Sequence, residues 1–477
     1  MSLNVLPSDG STAATGVPAL PQPRRFYIET WGCQMNELDT QRMSAQLMQE
    51  GILPTGDPSA ADLILLNSCS VREKAAQKAY SQLGVFRKLK RNRPDLLLGF
   101  CGCVAQQEGE SALKRLPDLD FVIGPGRVGE LRALLDRRRR GERIVATGFP
   151  DATTRNYDID RLSRETSYKG MVTIIEGCNK KCTFCIVPTT RGAEQCRRMD
   201  AILDEVRHLL DYGFVEIELL GQTVNHWRDP NTGDDFAVLL DRVARLPGLT
   251  RLRFVTSYPR DFTPAMVAQF AEHENLSPYL HLPVQSGSNT VLKRMGRGYE
   301  IDLYRRLIDR LRAARPDINL STDIIVGFPG ETDDDFQATL DLAAEVRYGS
   351  IYAFKYSPRP GTAAPRLKLP AVPPDVADAR LQALFAQQEP IGRALNEALV
   401  GTDQTVLVTG WGKQAGTQSG RTACHRIVHF PYGDAPRPMG SLTPVTVERA
   451  LAHSLLGTPI ADSAADDVRA PAIAATT

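Results

Sequence analysis

From Arg24 onward, short apolar runs alternate with stretches of helical spacing, and this alternation restricts the chain to folds built on parallel sheets. The runs FYIET, ADLILLN and LLLGFCG are separated by a helical pattern from about Glu37 to Gln49 and a basic one from about Arg72. That is a βαβαβ opening, expected to form a parallel sheet. The alternation lapses between LDRRRRGERIV and RLSRETSYKG, as at an interdomain linker, and resumes near Lys169. Six further runs follow: MVTIIEG, VEIELLG, RLRFVTS, YLHLP, NLSTDIIVGF and SIYAFKYSP. They predict a partial or full β/α barrel with its functional groups in the loops after the strands. Past Gly401 the segments TVLVTG, HRIVHF and TPVTVERAL predict a small β-barrel.

The expected class is therefore α/β, in three domains, which suits 477 residues at roughly 150 residues per domain. A parallel α/β domain occupies 24–140, a linker 141–167, a β/α barrel 168–398 and a small β-barrel 399–459. The extension 1–23 and the tail 460–477 lack apolar periodicity and are expected to be disordered.

A formal net charge of +1 excludes a global basic field, so a nucleic-acid partner would be held by local patches. RKLKRNR at 87–93 and RRRR at 137–140 are candidates for phosphate contacts, against the plain reading of solvated faces. The N-terminus lacks the pattern of a signal peptide and no run of about 18 apolar residues occurs, so a cytoplasmic protein without a membrane partner is expected. In that setting nine cysteines, an odd number, point to reduced thiols acting as ligands or nucleophiles.

EGCNKKCTFCIVP places Cys178, Cys182 and Cys185 in a C-x3-C-x2-C array directly after a predicted strand. Structural zinc wants four protein ligands, whereas three thiolates on a 4Fe-4S cubane leave one iron open for an exogenous ligand. A zinc site completed by Cys196 and a set of unligated core cysteines are the alternatives. A second set, Cys33, Cys69 and Cys103, follows three predicted strands of the first domain. Loops after neighbouring parallel strands gather at one edge, so these thiols can converge too. Cys101, in CGCVAQ, competes with Cys103 for the third place.

CNKKCTFC, with Phe184 before its third cysteine, resembles the signature of the radical S-adenosylmethionine superfamily. That resemblance implies an open iron binding S-adenosylmethionine and reductive cleavage to a 5'-deoxyadenosyl radical. From about Arg25 to Leu451 the chain resembles the methylthiotransferase family, through GCQMN, NSCSVREKA, ELLGQTVN, LHLPVQSGSNTVLKRMGRGY, TDIIVGFPGET and FKYSPRPGTAA. The family implies a second 4Fe-4S cluster on Cys33, Cys69 and Cys103, the last chosen because it directly precedes VAQ. Cys101, Cys196 and Cys424 are then structural. It also implies two S-adenosylmethionine molecules per turnover, one methylating a sulfur at the second cluster and one cleaved at the Cys178, Cys182, Cys185 cluster. Phe184, Gly327 and Gly330 become cofactor-lining candidates, although GFPGET also reads as a tight turn.

GCQMN and NSCSVREKA resemble the branch that methylthiolates C2 of N(6)-dimethylallyladenosine in tRNA, beside the anticodon. GCPKN and NTCGF, typical of the branch acting on a ribosomal-protein aspartate, are absent. The branch acting on threonylcarbamoyladenosine in tRNA stays open. The C-terminal segment resembles a TRAM domain, associated with RNA binding. The implied partners are the tRNA, a reductant such as flavodoxin or ferredoxin, and an iron–sulfur or sulfur donor. Two positions depart from the family pattern: Thr189 where Tyr is usual, and His425 where Asn is usual. A reading of another class is an RNA-binding protein whose cysteines hold structural zinc.

Overall fold

The computed structural model describes residues 21–70, 73–150, 166 and 168–460. Most of both expected disordered ends, the start of the basic helix at Arg72 and linker residues 151–165 lie outside them. The chain divides into two compact units, the first ending near Pro150.

The first unit is one parallel sheet flanked by helices. Its elements are β1 (Arg25–Trp31), α1 (Gln34–Gln49), β2 (Leu53–Pro54), β3 (Leu63–Ser68), α2 (Glu73–Asn92), β4 (Leu97–Gly102), α3 (Cys103–Glu108), α4 (Glu110–Arg115), β5 (Phe121–Ile123), α5 (Leu131–Arg139) and β6 (Ile144–Ala146). The strand order is β2-β1-β3-β4-β5-β6. β3 is buried along its whole length, as a central strand covered on both faces must be, and Leu63 and Leu65 join one apolar cluster while Ile64 and Leu66 join another. β6 corrects the expected linker boundary. Residues 144–146 pair with β5 and extend the sheet, so the stretch read as linker begins with a strand of the first unit.

The second unit opens with β7 (Lys169–Thr173), β8 (Ile175–Glu176), α6 (Val187–Arg191), β9 (Gln195–Cys196), α7 (Met199–Asp211), β10 (Glu216–Leu220), α8 (Phe236–Ala244), β11 (Arg251–Phe254) and α9 (Pro264–Glu272). It continues through β12 (Tyr279–His281), α10 (Asn289–Met295), α11 (Ile301–Ala314), β13 (Asn319–Val326), α12 (Asp333–Val346), β14 (Ser350–Lys355) and α13 (Pro374–Glu397). β11-β10-β7 and β12-β13-β14 form two parallel three-stranded sheets. They are joined where Leu252 N–H donates to the Asn275 carbonyl (2.8 Å) and Ser277 N–H to the Leu252 carbonyl (2.9 Å). The result is a partial barrel with its six strands in chain order.

Side chains alternate along these strands. One face, including Ile217, Leu219, Leu252, Phe254 and Leu280, packs under the helices in one apolar core. α11 contributes Ile301, Tyr304, Leu307, Ile308 and Leu311 at helical spacing. Each such side chain stabilises by about 1.5–3 kcal/mol when fully buried. The other face is polar and fills the lumen. Glu216 and Glu218 stand in register with Arg251 and Arg253 (3.6–3.7 Å between charged atoms), and Lys169 Nζ reaches Glu218 at 2.6 Å. Further round, His281 meets Ser321 (2.9 Å) and Asp323 (3.3 Å).

The unit ends in a closed five-stranded barrel of β15 (Asp403–Trp411), β16 (Thr417–Arg421), β17 (Ile427–Pro431), β18 (Leu442–Ala450) and β19 (Leu455–Pro459), ordered β15-β16-β17-β19-β18. Val406, Val408, Val428, Phe430, Val445 and Val447 fill it at alternate positions, as expected for the C-terminal domain.

Candidate metal centres

In the first unit β1, β3 and β4 are neighbours, and the residues directly after them carry Cys33, Cys69 and Cys103. The three thiols converge. Hydrogen bonding to Cys103 and Cys33, with burial added, holds the Cys69 thiol far above its usual range. Cys33 is the N-cap of α1 and Cys103 the first residue of α3. The glycine before each is what permits the approach. A Cβ on Gly32 would lie 2.7 Å from the Cys69 Cβ. One on Gly102, where φ is +90°, would lie 2.4 Å from both Asn67 Oδ1 and the Ser68 carbonyl oxygen.

A buried amide pair fixes the loop beneath these thiols. Asn36 Nδ2 donates to Asn67 Oδ1 (3.1 Å), while Asn67 Nδ2 donates to the Asn36 carbonyl (2.8 Å) and to Thr40 Oγ1 (3.0 Å). Cys33 Sγ donates to Asn36 Oδ1 at 3.4 Å. Both asparagines are fully buried, so each lost partner would leave an orphaned polar atom. Cys101 lies elsewhere, on β4 in the apolar cluster with Leu97 and Phe121, where burial and the Asp39 charge push its thiol up.

In the second unit Cys178, Cys182 and Cys185 occupy the loop after β8, at the C-terminal end of the barrel strands. Gly177 repeats the device: φ is +78° and a Cβ would lie 2.1 Å from the Ala193 carbonyl oxygen. The loop is tied down on three sides. Cys178 N–H donates to the Gly192 carbonyl (3.0 Å), Thr183 N–H to the Met295 carbonyl (2.9 Å) and Ala364 N–H to the Thr183 carbonyl (2.7 Å). Cys178 Sγ meets Thr223 Oγ1 at 3.4 Å and accepts from Lys180 N–H at 3.5 Å. Burial pushes the Cys185 thiol up to about 12, while the Cys178 thiol is raised by burial against those two hydrogen bonds.

A buried cation sits under this loop. Arg297 Nη1 donates to Cys182 Sγ (3.5 Å), Nη2 to the Pro283 carbonyl (2.7 Å) and Nε to Tyr299 Oη (3.3 Å). Its guanidinium lies 4.5 Å from the Tyr258 ring centroid, and the Tyr258 hydroxyl donates to the Arg297 carbonyl. Burial opposes its charge, but Tyr299 and Cys182 outweigh burial and hold it protonated. Thr256 and Gln285, beyond the ends of β11 and β12, have φ of +68° and +76°. For residues with a Cβ such strain is held only where the surroundings over-determine it, commonly at functional sites.

Sequence reasoning named neither Arg297 nor its tyrosines, although GRGY lay within a segment singled out for resemblance. The other candidates fall as follows. Phe184 packs with Val291, Met295 and Phe328. The spaces a Cβ would need at Gly327 and Gly330 belong to Ala377 on α13 and to Arg294, and Gly327 N–H donates to Glu331 Oε1 (2.9 Å), so the glycines are accounted for by a tight turn packed against protein. Cys196 accepts from the Arg228 backbone, and Cys424 Sγ lies 3.2 Å from Thr422 Oγ1.

Thr189 is exposed on α6. His425 has φ of +68°, a left-handed conformation in which Asn is favoured and His tolerated, and its ring packs at a tilt against Tyr279, with the centroids 4.8 Å apart. The basic runs are largely neutralised within the fold. Arg87 pairs with Asp118, Lys90 and Arg138 with Asp120, Arg93 with Asp62, and Arg137 with Glu142. Lys90 and Arg138 are largely buried against Asp120, while the other three pairs stand partly in solvent.

The second unit's triad fits a 4Fe-4S cluster with three protein ligands, since its donors are soft thiols and Lys180 N–H and Arg297 supply the hydrogen bonds that such sulfurs accept; the first unit's triad offers the same soft donors. Protons held on buried thiols would be released on metal binding.

Residues 25–124 match the family described as Uncharacterized protein family UPF0004, and residues 172–343 match the Radical SAM superfamily. The chain is 44% identical over 441 residues to a tRNA-2-methylthio-N(6)-dimethylallyladenosine synthase of Ruegeria sp. (strain TM1040), covering 91% of this chain and 98% of that one. A protein of the same description from Geobacter sulfurreducens is 43% identical over 444 residues, covering 93% and 99%. Among solved structures, the radical S-adenosylmethionine methyltransferase TsrM from Kitasatospora setae superposes with a TM-score of 0.52 at 14% identity, covering 83% of this chain and 81% of that one. At that identity the likeness is one of fold. Among the described residues no helix is long and apolar enough to cross a membrane.

Proposed function

Since the chain belongs to the tRNA-2-methylthio-N(6)-dimethylallyladenosine synthase family, we propose that it methylthiolates C2 of N(6)-dimethylallyladenosine in tRNA, beside the anticodon. The observation that carries this reading is likeness along nearly the whole length, at 44% identity and 98% coverage of the relative. Convergence of a cysteine triad in each unit supports it.

In this reading Cys178, Cys182 and Cys185 hold one 4Fe-4S cluster, and Cys33, Cys69 and Cys103 hold the other. The bound groups supply reductive cleavage of S-adenosylmethionine at the first cluster and sulfur chemistry at the second. The chain's own residues set the conditions. Arg297, buried and donating to Cys182, offsets the negative charge of a thiolate, and the Tyr258 and Tyr299 rings pack beside its guanidinium. Thr223 and Lys180 N–H do the same for Cys178. Gly32 and Gly102 bring the first unit's thiols together without side chains between them.

A reductant such as flavodoxin or ferredoxin and an iron–sulfur or sulfur donor complete the proposal. The test is anaerobic. Reconstituted protein, S-adenosylmethionine and dithionite are incubated with isopentenylated or threonylcarbamoylated tRNA, followed by nucleoside mass spectrometry. A methylthio product from the isopentenylated tRNA alone is expected. Product only from the other tRNA overturns the substrate assignment, and absence of deoxyadenosine overturns the radical chemistry.

A further inference from the structure

The N-terminal ends of β12, β13 and β14 meet the C-terminal barrel on the side away from the cysteine loop. The turn Arg421–Arg426 plugs this floor: Arg251 Nη1 donates to the Arg421 carbonyl (3.2 Å), Asn319 Nδ2 donates to the Cys424 carbonyl (2.8 Å), and the His425 ring lies on Tyr279. Beside the plug is a cavity of about 210 Å³ between the floor, α13 and the turn.

Its lining carries Arg421, Arg426, His425 and His453 and no carboxylate. Neither arginine has a carboxylate partner among the described residues. Arg421 Nη1 donates to the His425 carbonyl (3.2 Å) and Arg426 Nη1 to Asn396 Oδ1. With up to five N–H donors each, both guanidinium groups keep donors in reserve.

The excess of cations extends beneath the lining. Lys169, Arg251 and Arg253 lie below it, and Glu216 and Glu218 are the carboxylates that serve them. Those pairs are stretched for Arg253, at 3.6 and 3.7 Å, and its Nε is buried without an acceptor. Burial and four neighbouring cations, Arg253, Arg421, Lys169 and Arg251, keep His425 neutral. The lining arginines, Arg421 and Arg426, with no carboxylate beside them, leave a site that an anion completes.

We propose that this cavity binds a phosphate group, held by the guanidinium groups of Arg421 and Arg426. At roughly 30 Å³ per water the volume admits a phosphate and part of the group it is attached to. The source is either a phosphodiester of bound RNA or a free phosphate compound. The site rests on the floor's geometry and is independent of the substrate reading above, so the two can fail separately.

The test is calorimetric titration of inorganic phosphate into the full reconstituted chain in low-salt chloride buffer. One phosphate per chain is expected, with affinity lowered about ten-fold or more in the double variant Arg421→Gln, Arg426→Gln and largely kept in the corresponding double Lys variant. Ser350→Asp, which puts a fixed anion at the cavity wall without touching either arginine, gives the same loss and serves if the Gln variant folds poorly. An unmodified tRNA transcript forms the second arm. A matching loss of tRNA affinity, with the salt slope flattened by roughly two, assigns the site to an RNA phosphodiester. Unchanged tRNA affinity assigns it to a free phosphate compound. The proposal is overturned if the parent shows no saturable phosphate binding, or if Ser350→Asp binds phosphate as the parent does.

Discussion

Replacing Gly102 by alanine tests whether the first unit's thiols are brought together by a missing side chain. The residue has φ +90° and ψ −160°, a region essentially confined to glycine, and forcing alanine into it costs about 1–3 kcal/mol. The new Cβ would stand 2.4 Å from Asn67 Oδ1 and from the Ser68 carbonyl, so the wall between β3 and β4 must open by about 1 Å, adding roughly 1–3 kcal/mol of overpacking. The combined 2–6 kcal/mol is a large share of the ~5–15 kcal/mol that stabilises a domain. Opening that wall moves Cys103 away from Cys69.

Gly51→Ala is the matched control in the same unit. Its φ is +75°, but nothing lies within 4 Å of an added Cβ, so only a left-handed penalty of about 1–2 kcal/mol applies. After anaerobic reconstitution, Gly102→Ala should carry about four irons per chain where the parent carries about eight, while Gly51→Ala keeps the full complement. Calorimetry should show the first unit melting roughly 6–30 °C lower in Gly102→Ala. Deoxyadenosine should still form. A Gly102→Ala protein with full iron content and the parent's melting profile would refute the close-approach argument.

Replacing Cys178 by alanine should abolish deoxyadenosine and methylthio product together; replacing Cys69 should abolish the product and leave cleavage, and normal product from the Cys69 variant would sink the second cluster. Arg297→Met should lower the midpoint potential of the Cys178, Cys182, Cys185 cluster in an EPR redox titration, because it removes an N–H donor and a positive charge from Cys182, with Arg297→Lys partly restoring it; an unchanged potential would leave Arg297 a packing residue. Asp335 is held below the usual carboxylate range, burial being outweighed by bonds from Ser288 and Thr332. Its folded pKa is depressed, so its contribution is present above the unfolded value of about 3.9 and is lost as pH falls through the folded one. The melting difference between parent and Asp335→Asn should therefore be steady from pH 7 to 5 and shrink below about pH 4; a difference that grows on acidification would contradict the sign.

The six barrel strands were legible because each is an apolar run with a helical crossover after it, and the cysteines because strand ends in a parallel sheet share an edge. What the sequence hid is non-local. Nothing in VEIELLG says that Glu216 and Glu218 are buried; that depends on Arg251 and Arg253 arriving from the next strand. Arg297 stands 115 residues from Cys182 and carries no spacing signal toward it. β6 has only three residues, too few for a period, and needs β5 beside it to exist. His425 occupies a left-handed turn, which no pattern of neighbours announces.

The charged lumen also bears on how the barrel assembles. If β11 slid by one residue along β10, Leu252 and Phe254 would face the carboxylates, and Arg251 and Arg253 would be driven under the helices. A buried charge stripped of its partner costs roughly 3–5 kcal/mol. Two such charges would make the slipped pairing unstable enough to dissociate and try again. The ladder of Glu216, Glu218, Arg251 and Arg253 thus penalises the slipped alignment, and replacing all four with apolar residues would remove that penalty while leaving Lys169 without Glu218.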